Sequence, residues 1–412
     1  MTKKSDAPAI RFKGFSDAWE QRKLSEITDK VTEKNAGLQY VETFTNSAEF
    51  GIISQRDFFD HDIAKLGSLD GYYIVKNEDF VYNPRISTSA PVGPINRNKL
   101  GRTGVMSPLY TVFRPHDIDT TYLEYFFKCG YWHSFMNFNG DSGARSDRFS
   151  IRDNVFFQMP IPIPDIDEQR KIGELLTCLD NLITLHQRKF EKLTNVKKSM
   201  LEKMFPQNGS SYPEIRFKGF TDPWEQRKFS ELVQIERGGS PRPIDDFITD
   251  APNGLNWVKI GDAPTQGNYI TKTAEKIRPE GLPKTREVHP GDLILSNSMS
   301  FGKPYIMGID GCIHDGWLLI RNTYGVFDLT FLCHLLGTPQ MLSQYRSLAA
   351  GSTVNNLNKE LVGNTYVTIP SITEQRVLGA YLEQLDNLIT LHQRELEKLQ
   401  NIKKSMLEKM FV

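Results

Sequence analysis

Cysteine is scarce in this sequence, and the four cysteines lie far apart. Cys129, Cys178, Cys312 and Cys333 never form a CxxC pair, so their spacing indicates neither a disulfide framework nor a zinc knuckle. We expect four reduced thiols. The eight histidines include no pair at metal-ligand spacing, so no metal site is predicted.

Long apolar runs and an excess of charge are also absent. No stretch approaches the roughly 20 apolar residues that a transmembrane helix needs, so we expect no membrane association and a cytoplasmic protein. Fifty basic residues balance fifty acidic ones in a chain of 412 residues. A net charge of zero argues against nucleic-acid binding by bulk charge, and leaves local basic patches as the route to such binding.

Catalytic signatures are missing as well. The sequence contains no GxxxxGK[ST], no HExxH, no GxSxG, and no GxGxxG that opens a helix after a strand. Asn83, Pro84 and Arg85 begin like the Asn-Pro-Pro-aromatic motif of amino-methyltransferases, but the second proline and the aromatic residue are absent. Glu168 and Lys171 have ExxK spacing, which does not match a metal-dependent nuclease motif. We therefore predict no catalytic residue in this chain.

What the sequence does contain is an internal duplication. IRFKGFSDAWEQRK, from Ile10, recurs from Ile215 as IRFKGFTDPWEQRK. A longer segment from Ile166 recurs from Ile372, with 29 of 40 positions identical by direct count. We call these the short repeat and the long repeat. The stretches between them, residues 24–165 and 229–371, differ strongly.

Each long repeat is predicted to be a helix with a heptad seam, because its apolar residues recur in alternating steps of four and three. The seam of the first copy is Ile172, Leu176, Leu179, Ile183, His186, Phe190 and Leu193, followed by Lys197, Met200 and Met204. The seam of the second copy is Leu378, Leu382, Leu385, Ile389, His392, Leu396 and Leu399, followed by Lys403, Met406 and Met410.

Polar residues at equivalent seam positions are interpreted structurally, as devices that fix the register of a helix pair. They are His186 with His392, and Lys197 with Lys403. We expect the two helices to pair in antiparallel orientation, which gives the repeated chain a pseudo-two-fold axis. Each helix start is predicted to carry a capping box, Asp165 with Glu168 in the first copy and Ser371 with Glu374 in the second.

The predicted fold class is α+β, with two mixed α/β domains joined by two long antiparallel helices that form a coiled coil. Short β-like runs such as DFVYN and DLILS alternate with amphipathic helical patterns in both divergent stretches. The predicted divisions are residues 1–165, the first helix at 166–205, a linker at 206–214, residues 215–371, and the second helix at 372–412.

Several polar loops have the chemistry for DNA recognition, because arginine pairs with phosphates and guanine edges and asparagine pairs with adenine edges. No acidic residue lies between Asp79 and Asp117. Surface loops are also polar without any such role, and for a single residue that alternative stays open. The candidate DNA-binding residues are Arg85, Arg97, Lys99, Arg102, Arg145, Arg148, Arg152, Arg237, Ser240, Arg242, Lys303, Thr353, Asn355, Asn356 and Lys359.

The order of these motifs resembles the specificity subunit of type I restriction-modification systems. The resemblance rests on PDIDEQRKI and PSITEQRVL at the helix starts, the WEQRK segments, GDLILS, and GSTVNNLNKELVGNTYVTIP. It covers essentially the whole chain. It implies two target-recognition domains that each recognise one half of a split site in double-stranded DNA, with the long repeats as spacer.

The resemblance also implies partners. The family docks two methyltransferase subunits, which bind S-adenosylmethionine and usually methylate adenine at N6, and restriction subunits that use ATP and Mg²⁺ join them. This chain itself is then non-catalytic and binds no cofactor. The alternatives are a scaffold whose two domains bind proteins, and a nuclease or methyltransferase that acts alone.

Overall fold

The computed structural model describes residues 8–59, 66–142, 147–207, 209–297, 302–349 and 356–411. The chain divides into two compact units. The first unit is Met1–Thr184 together with Glu397–Val412, and the second is Leu185–Leu396. Each long helix therefore contributes one part of its length to each unit.

The first unit contains twelve strands and four short helices among its described residues, and the start of the first long helix. The strands are β1 (Glu20–Lys23), β2 (Thr28–Lys30), β3 (Phe44–Ser47), β4 (Gly51–Ser54), β5 (Tyr73–Val75), β6 (Phe80–Tyr82), β7 (Ile95–Arg97), β8 (Gly104–Met106), β9 (Thr111–Pro115), β10 (Asp141–Ser142), β11 (Phe149–Ser150) and β12 (Pro160–Ile163). The helices are α1 (Gln55–Phe59), α2 (Thr120–Lys128), α3 (His133–Asn139), α4 (Asp153–Phe156) and the long α5 (Ile166–Lys203).

The first unit is built around an antiparallel sheet of order β2-β9-β6-β7. Its central strands are the predicted DFVYN and YTVF segments, whose aromatic and β-branched residues suit a half-buried pleated surface. Phe80 pairs with Phe113 across the sheet, and both side chains are fully buried beneath α2. Asp79 accepts two hydrogen bonds of 2.8 Å from Arg114, which ties β6 to β9.

The second unit contains eleven strands, three short helices and parts of both long helices. The strands are β13 (Glu225–Lys228), β14 (Gln234–Arg237), β15 (Leu255–Val258), β16 (Tyr269–Ile270), β17 (Glu275–Ile277), β18 (Arg286–Val288), β19 (Leu293–Ser296), β20 (Pro304–Met307), β21 (Gly311–Ile313), β22 (Trp317–Arg321) and β23 (Tyr366–Ile369). The helices are α6 (Leu329–Leu336), α7 (Pro339–Ala349), α8 (Lys359–Gly363) and the long α9 (Ile372–Lys409). This inventory covers the described residues.

The second unit carries two larger sheets, of order β14-β22-β19-β20-β16 and β17-β15-β21-β18. Asp292 repeats the role of Asp79: it accepts from the backbone N–H three residues earlier and lies 3.3 Å from an arginine of the neighbouring strand, Arg321. Asp79 does the same with the N–H of Lys76 and with Arg114. The two divergent stretches thus share part of their skeleton.

The short repeat forms the same clamp in each unit. In the first unit, β1 pairs with β12, the strand directly before α5, and Trp19 is buried. Arg11 donates two hydrogen bonds of 2.8 Å to the buried Glu168 of α5, and Trp19 Nε1 donates to the same carboxylate at 3.2 Å. We call these contacts the clamp. The clamp fixes the start of the long helix to β1 and to the residues that precede β1.

The second unit repeats these contacts with Arg216, Trp224 and Glu374 at 2.8 and 3.3 Å. The capping-box prediction is wrong for the two glutamates, because both carboxylates are occupied by the arginine and tryptophan of the short repeat. Its other half is confirmed for Ser371, whose hydroxyl accepts from the N–H of Glu374 at 3.4 Å.

The glutamine after each of these glutamates attaches a second helix. Gln169 Oε1 accepts from the N–H of Asp119, the N-cap of α2, at 2.9 Å. Gln375 Oε1 accepts from the N–H of Asp328, the N-cap of α6, at 3.0 Å. Four residues later comes a glycine in both copies, and a Cβ on Gly379 would lie 2.5 Å from Thr330 Oγ1. Glycine at this position lets the short helix approach the long one closely.

The long helices run antiparallel where they meet inside each unit. In the second unit, His186 Nδ1 lies 3.2 Å from His392 Nδ1, and Lys197 forms an ion pair with Asp386. Residue numbers therefore fall along the second helix as they rise along the first. In the first unit, Lys403 pairs with Asp180 in the same way. No helix in the described part of the chain is long and apolar enough to cross a membrane.

Candidate functional site

Two basic loops, whose paired residues are 63 positions apart in the sequence, lie side by side in the first unit. Arg85 and Arg148 face each other in an isolated antiparallel bridge. The N–H of Ile86 donates to the carbonyl of Asp147 at 3.0 Å, and the N–H of Phe149 donates to the carbonyl of Pro84 at 2.7 Å. The structure therefore joins two segments that the sequence suggested separately.

Arg85, Arg148 and Arg152 in these two loops are exposed to solvent. The guanidinium groups of Arg85, Arg148 and Arg152 form no ion pair with any described residue. Beside them lies a cavity of about 410 Å³ with tyrosines in its wall, among them Tyr82 and Tyr110. Free guanidinium groups at the edge of a pocket are suited to phosphate oxygens.

Other basic candidates of the first unit form ion pairs with carboxylates of the same unit. Arg97 retains only 8% side-chain exposure and contacts Glu78 at 3.0 Å and Glu124 at 2.6 Å. Lys99 lies 3.3 Å from Glu124. Burial acts to raise the pKa of Glu124, but the charges of Lys128, Arg97 and Lys99 outweigh it and hold that pKa below its ordinary value.

Arg102 is likewise paired, although it is exposed. It donates two hydrogen bonds of 2.8 Å to Glu42, and these bonds lower the pKa of the Glu42 carboxyl. In this arrangement Arg97, Lys99 and Arg102 serve the internal ion pairs of the unit, whereas Arg85, Arg148 and Arg152 do not.

In the second unit the segment ERGGSPRP starts at the end of β14 and continues as a loop that is held by its glycines. The N–H of Gly238 donates to the carbonyl of Trp317 at 2.9 Å, and that of Gly239 donates to Ile313 at 3.2 Å. A Cβ on Gly238 would lie 2.2 Å from the carbonyl oxygen of His314. A side chain here would displace the loop, because contacts this close do not occur between real Cβ and backbone atoms.

The loop presents Arg242 at the mouth of a cleft of about 1180 Å³. The Arg242 side chain is 83% exposed, and its Nη2 lies 3.8 Å from Asp315 Oδ2. Ser240 Oγ donates to Asp315 Oδ1 at 3.0 Å. Arg237 donates to the backbone carbonyl of Asp315 at 3.4 Å. The three candidates of this loop therefore converge on one aspartate.

Further charged residues line the same cleft. Lys259 forms an ion pair with Glu275, and His314 stands beside the buried Trp257 with 5.7 Å between ring centroids. Sequence analysis did not find these residues or Asp315. They come from three separate segments, with Lys259 after β15, Glu275 in β17 and the adjacent His314 and Asp315 between β21 and β22, and no short motif connects the three segments.

The remaining candidates of the second unit lie elsewhere. Lys303 is half-buried, with Nζ 4.9 Å from the centroid of the Tyr305 ring. Asn356 and Lys359 are exposed, and Lys359 is the first residue of α8. Arg145, Thr353 and Asn355 lie outside the described residues. The assignment of all these side chains to DNA contacts stays a prediction.

Every predicted seam residue is buried or half-buried. Ile172, Leu176 and Leu179 are buried in the core of the first unit, and Leu378 and Leu382 are buried in the core of the second. The seam residues that are half-buried are Ile183, His186, Phe190, Leu193, His392 and Leu399, and the others, Leu385, Ile389 and Leu396, are buried. Leucines off the seam, such as Leu388 and Leu391, are exposed.

Among the described residues there is no group of three or more His, Cys, Asp or Glu side chains arranged to hold a metal ion.

Comparison with known protein families identifies the family to which the two units belong. The family model of the type I restriction modification DNA specificity domain matches the chain twice, at residues 16–195 and 221–401. The chain belongs to this family. The resemblance drawn from the repeats and the WEQRK segments is thereby confirmed, and so is the fold class of two recognition domains joined by antiparallel helices.

Curated members of the specificity family are distant in sequence. The type I restriction enzyme MjaVIII specificity subunit of Methanocaldococcus jannaschii is 25% identical over 266 residues, which cover 61% of this chain and 61% of that protein. A putative type I restriction enzyme specificity subunit, MjaX, of the same organism is 22% identical over 267 residues, 63% of this chain and 60% of that protein. The chain thus spans about three fifths of the length of these relatives.

Solved structures agree with the fold over nearly the whole specificity chain. The type I restriction-modification S subunit of M. genitalium has a TM-score of 0.62 at 12% identity, covering 98% of this chain and 99% of that one. A chain from a structure on complex assembly and conformational transition of a type I system has a TM-score of 0.52 at 16% identity, covering 96% and 98%. At these identities the likeness concerns the fold alone.

Proposed function

We propose that this chain is the DNA-specificity subunit of a type I restriction-modification complex and that each target-recognition domain recognises one half of a bipartite site in double-stranded DNA. The observation that carries the proposal is the pair of specificity domains, 16–195 and 221–401, each with exposed arginines on a loop beside a cavity. Arg85 and Arg148 are the leading DNA contacts of the first unit, and Arg242 is that of the second.

The two long helices set the spacing of the half-sites and dock two methyltransferase subunits in this proposal. The support is the duplication itself, because the long repeats offer nearly the same surface twice. Leu182 and Leu185 of α5 and their repeat equivalents Leu388 and Leu391 of α9 are all exposed, between 38% and 51%. Apolar side chains in matching positions suit two copies of one protein partner.

The chain acts without a catalytic site of its own in this proposal. The methyltransferase subunits bind S-adenosylmethionine, and the restriction subunits that complete the complex use ATP and Mg²⁺. We place the complex in the cytoplasm, where it meets chromosomal DNA.

A direct test measures DNA binding by the full chain purified with its methyltransferase subunit, titrated with salt. Because phosphate contacts release counterions, log K should fall linearly with log salt, with a slope of about −0.9 for each phosphate contacted. Methylation mapping of the host with and without the gene for this chain should reveal a split motif that depends on the chain.

The competing function is a scaffold whose two domains bind other proteins, with which the zero net charge is compatible. In that case DNA binding is weak and nonspecific, and the methylation pattern of the host is the same with and without the chain. Methylation or cleavage by the chain alone, with added methyl donor or metal, would instead support an enzyme.

A further inference from the structure

The backbone on both sides of Arg242 is unusually restricted. Pro241 and Pro243 flank it, and the proline ring fixes the φ angle at both positions. Pro241 is buried, and Gly238 and Gly239 bind the backbone of the neighbouring strands. Arg242 is therefore an exposed side chain on a rigid loop, which lowers the entropy that is lost when it binds a partner.

Asp315 is oriented toward this arginine by its own neighbours. Its Oδ1 accepts from Ser240 Oγ at 3.0 Å, and His314 Nε2 lies 3.0 Å from the same oxygen. The N–H of Gly316 donates to His314 Nδ1 at 2.9 Å, so the hydrogen of a neutral ring lies on Nε2. The second oxygen, Oδ2, remains for Arg242 at 3.8 Å.

We propose that Arg242 recognises a guanine in the half-site of the second unit, with Asp315, whose Oδ2 lies 3.8 Å from Arg242 Nη2, as the positioning residue that attracts the guanidinium to one side of the cleft. This inference rests on the proposed function. An arginine guanidinium matches guanine O6 and N7 with two parallel hydrogen bonds, which is the commonest specific contact in the major groove. A carboxylate directly beside it disfavours a phosphate as the partner. Arg85 and Arg148 of the first unit, which have no such carboxylate partner among the described residues, suit phosphates instead.

The test uses the full chain with its methyltransferase subunit and a DNA library in which each position of both half-sites is varied in turn. The wild-type complex should methylate a split motif with a required guanine in one half. Arg242→Ala should relax that single position, with discrimination against the other bases falling roughly tenfold or more. The other half-site should be unchanged, and it serves as the internal control.

Asp315→Asn isolates the positioning role. The asparagine oxygen still accepts from Ser240, but an amide NH₂ replaces the oxygen that faces Arg242. Discrimination at the guanine position should fall, by less than in Arg242→Ala. The double variant should be no worse than Arg242→Ala alone, because the two residues act through one contact.

A matched control is Arg286→Gln, which removes an exposed arginine of the same unit that is paired with Glu236 at 3.0 Å and does not line the cleft. It should leave the motif unchanged. The inference is overturned if Arg242→Ala keeps its guanine preference, if Arg286→Gln relaxes the same position, or if the effects of Arg242→Ala and Asp315→Asn add. If the wild-type complex yields no split motif at all, the proposed function itself fails.

Discussion

At the scale of single residues, the arginines of the first unit differ in whether a carboxylate faces them. Sequence analysis identified Arg85, Arg97 and Arg148 because they fall in loops rich in small polar residues. It could not separate them, because the partners of Arg97 are Glu78 and Glu124, which lie 19 and 27 positions away and reach it only in the folded chain. Arg85 and Arg148 remain free of described carboxylates.

This difference makes a prediction about salt dependence. Arg148→Ala should weaken DNA binding about equally for all sequences and reduce the slope of log K against log salt by about 1, because one phosphate contact is lost. Arg102→Ala is the control, since Arg102 is already paired with Glu42 and should change the slope little. Equal slopes for Arg148→Ala and wild type, measured by fluorescence anisotropy, would contradict the assignment.

Asp386 predicts a pH dependence of stability. Burial raises the pKa of its carboxyl, but the hydrogen bond from His334 and the charge of Lys197 outweigh burial, and the pKa is lowered overall. A lowered pKa means that the stabilisation is fully present above the unfolded-state pKa, near 3.9, and is lost as the pH falls through the folded-state pKa. Asp386→Asn should therefore cost on the order of 3 kcal/mol at pH 7 and progressively less below pH 4.

The measurement is urea unfolding of wild type and Asp386→Asn at pH 7, 5 and 3.5. Asp250→Asn is the matched control, because Asp250 is an exposed aspartate of the same unit and its replacement should change little at any pH. A difference between wild type and Asp386→Asn that stays constant down to pH 3.5 would show that the lowered pKa has been assigned to the wrong group.

At the scale of elements, the long helices could be predicted because heptad periodicity is a local signal. The predicted helix at 166–205 compares with Ile166–Lys203 in the structure. The DFVYN and DLILS strands were also predicted, since their β-branched and aromatic residues mark them. The order of strands in the sheets could not be predicted from the sequence, because pairs such as β16 with β20 join segments that share no sequence pattern.

The role of the short repeat also required the structure. Glu168 has the spacing of a helix cap, and only the fold brings it to Arg11, 157 residues away. A local sequence pattern points to a hydrogen-bond partner that is close in the chain. Glu168 instead forms a buried ion pair with a residue that is distant in the sequence.

The clamp predicts a large effect from a single substitution. Glu168→Ala should destabilise the first unit by roughly 3 to 5 kcal/mol, because it leaves the Arg11 guanidinium and the Trp19 indole N–H without their acceptor. Glu174→Ala, at an exposed position of the same helix, should change stability by less than about 0.5 kcal/mol. Hydrogen exchange of the β1 and β12 amides would report the loss, and unchanged protection in Glu168→Ala would rule out a structural role for the clamp.

At the scale of the whole molecule, duplication of the helices and clamps around two different sets of loops predicts that spacing and sequence recognition are separable. Inserting seven residues after Thr184 and after Thr390 keeps both heptad seams in phase. Seven helical residues add about 10.5 Å, so the unspecified gap of the methylated motif should lengthen by about three base pairs. Methylation mapping that showed altered half-sites with an unaltered gap would refute this role of the helices.

The most direct test of the account replaces one recognition domain by the other. The junctions allow it, because EQRK pairs with the strand before the long helix in the same way in β1 with β12 and β13 with β23. A chain whose residues 229–365 are replaced by residues 24–159, expressed with its methyltransferase subunit, is examined by methylation mapping. We predict a split motif in which both halves are the half-site of the first domain. A motif that retains the original second half would contradict the assignment of one half-site to each domain.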